Sequence, residues 1–106
     1  MVSLDVFKEL EIRIAKILEV QDHPQADKLY VLKIDLGKNQ KQIVAGIKSS
    51  YSKEELLGKQ IVVIDNLEPA IIRGIKSEGM LLAAEDINGP VLVIPQREVK
   101  LGSKVK

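Results

Sequence analysis

The chain has 106 residues, 45% of them hydrophobic and 29% charged, with a formal net charge of +1. It holds no cysteine, so disulfides, thiolate catalysis and cysteine-based zinc sites are excluded, and with a single histidine, His23, no cofactor is expected. No run approaches the ~20 apolar residues of a membrane span, and "MVSLDVFKEL" lacks the apolar core of a secretory signal, so the expectation is one cytoplasmic domain with no membrane partner.

Ser3 is placed to cap a short helix over about residues 4–9. "EIRIAKILEV" then alternates, with Ile12 and Ile14 inward and Arg13 outward, and the alternation slips at Ile17–Leu18 as at a bulge. "DHPQAD" is a turn. "KLYVLKIDLG" is a strand with Tyr30, Leu32, Ile34 and Leu36 on one face and Leu29, Val31, Lys33 and Asp35 on the other. "GKNQ" returns it into "KQIVAGI" as a hairpin. In "SKEELLG", Ser52 and Glu55 have capping-box spacing and Gly58 ends a short helix. "KQIVVIDN" reads as a buried strand and "MLLAAED", after Gly79, as another. Three strands, a short helix and two strands is the order of the OB-fold, an all-β, five-stranded Greek-key barrel that binds oligonucleotides or oligosaccharides on its strand 2–3 face. The barrel is expected over about residues 10–86, with a C-terminal β extension, including "VLVIP", over about 87–106.

Charge runs in blocks. Residues 1–27 carry three basic and six acidic side chains, 28–59 seven and three, 60–96 two and five, and 97–106 four and one. Two readings stay open for the second block: solvated faces, or a basic patch of Lys28, Lys33, Lys38, Lys41 and Lys48 on one sheet.

Catalytic chemistry finds little support. "GIKSEG" places its lysine before the second glycine, unlike a Walker loop. Nothing around Ser77 has the Gly-x-Ser-x-Gly pattern, and His23 sits in a turn, where bonding to local backbone is the simpler role. Nucleic acid fits better, because lysines and Arg73 can neutralise phosphates. Only three aromatics are present, Phe7, Tyr30 and Tyr51, which disfavours a base-stacking platform and favours recognition of backbone and shape in folded RNA.

Two motifs, "HPQADKLYVLKIDLG" and "NLEPAIIRGIKSEGMLLAAED", occur in this order in a short chain. On them the chain resembles the tRNA-binding domain family of the methionyl-tRNA synthetase C-terminal domain or β subunit. That family extends to free-standing structure-specific tRNA-binding proteins and endothelial monocyte-activating polypeptide-like domains. The resemblance implies an OB-fold and tRNA contacts at Asn66, Arg73, Ser77 and Met80. Lys28 would lie near the site, with His23 and Asp27 shaping the turn, and Lys76 falls between the two glycines of the same motif. Lys33, Lys41 and Lys48 are added from strand alternation and charge alone. Glu68 and Ile72 depart from the family's usual Lys and Met, and the first removes a positive charge from the expected surface.

The expected function is a non-catalytic tRNA-binding module that increases a methionyl-tRNA synthetase's hold on tRNA through shape and phosphate contacts. Its alternative is a protein-interaction or chaperone-like OB domain. Expected partners are tRNA, the catalytic chain of such a synthetase and a second copy. The branched residues after Asp86 either cover one end of their own barrel or form an interface, and the resemblance implies the interface, a homodimer built through the C-terminal extension.

Overall fold

One long strand, β1 (Ile12–Asp22), is the spine of the molecule, which a computed structural model describes over residues 1–106. Its first half pairs with β4 (Gln60–Ile64) and its second half with β2 (Tyr30–Asp35), both antiparallel. The switch occurs at the expected bulge, where the register shifts between Ile17 and Glu19. The extra residue bends the strand, so a single strand can serve two sides of a barrel.

Strand β3 (Gln40–Ala45) returns along β2, and the short helix α2 (Lys53–Leu56) leads into β4. Ser52 and Glu55 form the expected capping box, and the helix seats the fully buried Leu56 under the barrel. The chain then makes a hairpin of β5 (Ala70–Ile72) and β6 (Ile75–Ser77) before β7 (Met80–Leu81) joins β4. The main sheet has the order β3-β2-β1-β4-β7.

Residues 76–79 close it. The Glu78 N–H donates to the Gln42 carbonyl at 2.8 Å, and the Val44 N–H donates to Ser77 Oγ at 2.9 Å. The result is an all-β, nearly closed five-stranded OB-like barrel with its one internal helix between the third and fourth strands. Gly79 sits at this seam because a Cβ there would lie 3.0 Å from the Ile64 carbonyl oxygen.

The core follows the alternation of the sequence. Tyr30, Leu32, Ile34 and Leu36 pack with Ile17, Ile43, Ile61 and Val63 in one buried cluster. Each such side chain stabilises the fold by about 1.5–3 kcal/mol on burial.

One strand differs from the expectation. The strand expected to run unbroken from Met80 to Asp86 is divided at Leu82, whose N–H donates to Val62 and whose carbonyl accepts from Val93. Beyond it, β8 (Ala83–Asp86) and β9 (Gly89–Leu92) form a separate hairpin. The tail also covers its own barrel. Gly102 N–H donates to Ile14, Ile14 N–H to Ser103, and Val105 N–H to Ile12. These bonds occupy the edge that the first half of β1 leaves open, since β2 pairs only from Lys16 onward. Val99 and Val105 pack there on a second small cluster of Ile12, Ile14, Val62 and Ile64. Val91, Val93 and Ile94 remain about half exposed.

The short N-terminal helix α1 (Leu4–Phe7) has its Ser3 cap but buries no residue. No helix is long and apolar enough to cross a membrane.

Candidate nucleic-acid interface

The hairpin β5–β6 carries the second motif. Its turn residues are Arg73 and Gly74, at φ 51° and 88°. Positive φ at both central positions is the type I′ geometry, whose twist matches that of the flanking strands. Gly74 adopts it freely; Arg73 is the chain's one non-glycine residue at positive φ. The turn holds the Arg73 backbone at the tip and leaves the side chain exposed, as are Lys76 and, at 70%, Ile71. Met80 is 48% exposed on β7.

Two buried side chains hold this hairpin in place, and Gln42 Nε2 adds a bond to the Lys76 carbonyl at 2.8 Å. Ser77 is buried: Oγ accepts from Val44 and donates its one proton to the Gly79 carbonyl at 3.0 Å. His23, also buried, accepts the Gln25 N–H at Nδ1, which assigns the Nε2–H tautomer. Nε2 then donates to the Ile72 carbonyl at 3.0 Å, tying the turn that carries exposed Lys28 to the hairpin that carries Arg73.

Three of the expected contact residues have structural partners of their own. Ser77 closes the barrel and has no proton left for a phosphate or ribose. Asn66 is a clamp on the N-terminal segment: Oδ1 accepts the Glu11 N–H and Nδ2 donates to the Glu9 carbonyl, both at 2.7 Å. Lys41 does not share a face with Lys33. In the β2–β3 register Lys33 opposes Gln42 while Lys41 opposes Ile34, so the two lysines point to opposite sides of the sheet. Lys41 reaches buried Asp65, its ammonium 2.7 Å from Oδ1 and 2.8 Å from the main-chain oxygen.

The basic-patch reading of the second charge block dissolves in the same way. Lys48 pairs with Asp22 at 3.0 Å, and Lys38 lies in the β2–β3 turn, 3.9 Å from Asp65. Hydrogen bonds from Lys48 and then Lys53 hold the Asp22 carboxyl below its usual range. The outward face of β1–β3 is instead mixed. Glu19, Lys33 and Gln42 form one cross-strand row, flanked by the row Lys16, Asp35, Gln40 and the row Gln21, Val31, Val44. Sequence reasoning missed this arrangement because the phase of β1 after its bulge decides which residues share a row. Among all side chains, no group of three or more His, Cys, Asp or Glu residues could hold a metal ion.

A family model described as "Putative tRNA binding domain" matches residues 12–104. The methionine–tRNA ligase of Thermococcus kodakarensis is 53% identical over 105 residues, 99% of this chain. The chain spans only 14% of that ligase's length. Among solved structures, a MetRS-related protein of Pyrococcus horikoshii superposes with TM-score 0.92 at 30% identity, covering 100% of this chain and 98% of that one. The CsaA chaperone protein of Picrophilus torridus superposes with TM-score 0.94 at 33% identity over the full length of both. By sequence over nearly its whole length, and by a barrel of the same shape, the chain belongs to the tRNA-binding domain family.

Proposed function

We propose that this domain binds tRNA and raises the hold of a methionyl-tRNA synthetase on its substrate without discriminating the amino acid accepted. The observation that carries the reading is the exposed Arg73 at the tip of a hairpin anchored at both ends by buried side chains. Arg73, Lys76, Lys28 and Met80 provide the contacts around it, with Lys33 on the adjoining sheet face. A guanidinium fork suits phosphate, and Met80 adapts to a sugar or base. Ser77 and Lys41 brace the barrel beneath this surface, while exposed Asn66 holds the N-terminal segment and keeps one Nδ2 proton free for RNA. Phosphate contacts release counterions, so affinity for tRNA falls steeply with salt, with a log-log slope of roughly −0.7 to −0.9 per neutralised phosphate. Titration of total tRNA against an unstructured RNA of equal length tests this. A flat salt response, or equal affinity for both RNAs, overturns it.

The domain also forms a homodimer through its C-terminal extension. Exposed Val93 and Ile94 border a groove of about 450 Å³ lined with Pro95, Val99 and Val105. An exposed apolar surface of this kind marks an interface. Truncating the tail would strip β1, so the test is sedimentation of Val93→Asp, which becomes monomeric where the parent is dimeric. A monomeric parent at micromolar concentration rejects the dimer.

The likeness to a chaperone protein favours a second reading, in which the same apolar groove takes unfolded polypeptide. Suppression of aggregation by this chain, without binding to tRNA, would select it.

A further inference from the structure

The outward groove of the β1–β3 sheet has a chemistry unlike that of a phosphate site. It is a concavity of about 370 Å³ lined by Glu19, Gln21, Lys33, Gln40, Gln42 and Glu78 together with Val31 and the edge of Lys41. That volume lies at the low end of the roughly 300–1,000 Å³ range of small-molecule sites. Two carboxylates face it, and Lys41 is committed to Asp65. A phosphate entering here would meet both acids.

The side chains of Glu19, Gln21, Lys33 and Gln40 bond to no other protein group, although Glu19 and Lys33 are direct cross-strand neighbours. By contrast, Gln42 and Glu78 are fixed: Gln42 Nε2 donates to the Lys76 carbonyl at 2.8 Å, and Glu78 Oε1 accepts the Gln42 N–H at 3.0 Å. The floor of the groove is therefore held rigid by the barrel seam, while an acceptor pair and a donor stand side by side on its wall. The aliphatic stem of Lys33 and the half-buried Val31 offer a small apolar surface for a ring.

We propose that this groove receives one unpaired guanine of the bound RNA by its Watson–Crick edge. The Glu19 carboxylate accepts from N1–H and the 2-amino group, and the Lys33 ammonium donates to O6. An edge that presents two donors beside one acceptor is the complement of a carboxylate beside an ammonium. Uracil and cytosine present other patterns, and RNA readers commonly take splayed bases by this edge. The inference rests on the RNA-binding reading above and adds to it one base-specific contact on a surface that otherwise reads backbone and shape.

Anisotropy titrations of this chain with four stem-loops that differ in one unpaired loop base, guanine, inosine, cytosine or uracil, give the test. The expected order is guanine first, then inosine, which lacks the 2-amino group, then the pyrimidines, with guanine about tenfold above uracil. Glu19→Gln removes that preference and weakens the guanine loop. Glu54→Gln, which removes the same charge from helix α2 and away from the groove, leaves it unchanged. A face that merely meets phosphates predicts the opposite sign, since loss of a negative charge at Glu19 would then tighten all four loops. Equal affinity for the four loops, or a Glu19→Gln variant that binds all of them better, overturns the guanine site while leaving tRNA binding intact. Absence of binding to tRNA and to every loop at low salt overturns both.

Discussion

His23 donates from Nε2 to the main-chain carbonyl of Ile72 across 3.0 Å, joining two segments 49 positions apart in the sequence. The bond fastens the arm that carries Arg73 to the turn that carries Lys28. His23→Ala leaves the Ile72 carbonyl and the Gln25 N–H without their partner and empties a buried site. The expected cost is about 1–3 kcal/mol in urea unfolding. Limited proteolysis then cuts first between residues 70 and 77. An unchanged cleavage pattern would show that Ser77 and Gln42 hold the hairpin without His23.

Stability and binding separate at Arg73. A non-glycine residue at φ 51° is strained by roughly 1 kcal/mol, and asparagine tolerates this region better. Arg73→Asn is therefore as stable as the parent or slightly more so. It also loses a charge-assisted phosphate contact of about 1.5–3 kcal/mol, so tRNA affinity falls by roughly tenfold or more. Arg97→Ala, in the tail, has a smaller effect. Equal losses for both variants would remove the hairpin tip from the interface.

Asp65 is buried against Lys41, with Arg13 Nε and Lys38 each 3.9 Å away. Removing one member of a buried pair strands the other charge. Asp65→Asn should destabilise the domain by about 3–5 kcal/mol. The double variant Asp65→Leu with Lys41→Met recovers most of that loss. Chemical denaturation of the three proteins measures it, and a double variant no better than the single one shows that Arg13 is the dominant partner.

Acid should weaken the fold through three carboxylates at the surface or partly buried. Glu11 is held below its usual range by the hydrogen bond and charge of Arg13, Asp22 by Lys48 and Lys53, and Glu55 by the backbone and side chain of Ser52. A carboxylate whose folded pKa lies below its unfolded value contributes stability that is present above about pH 4 and lost as pH falls through the folded value. The urea midpoint therefore holds steady from pH 7 to 5 and drops below pH 4. Asp22→Asn makes that drop shallower, and salt at neutral pH reduces the contribution of its ion pairs. An identical acid profile for Asp22→Asn removes Asp22 from this group.

The alternation of Tyr30, Leu32, Ile34 and Leu36 was enough to orient the second strand, because a period of two leaves one register that buries all four. Local chemistry likewise announced the Ser52–Glu55 capping box and the slip in β1, since both depend on residues close in the chain. The Arg73 hairpin, though local, was hidden because its strands are only three residues each and its turn is Arg-Gly, not Asn-Gly or Asp-Gly. Tertiary structure alone decided the rest: Ser77 became a seam because β3 arrived beside it from 33 positions away. Lys41 left the surface because a buried carboxylate drew it inward, and the tail became a barrel edge because β1 changes partners at its bulge. Sequence pattern determines which face of a strand is apolar; which polar groups remain free to meet a ligand depends on the long-range partners that have already claimed their hydrogen bonds.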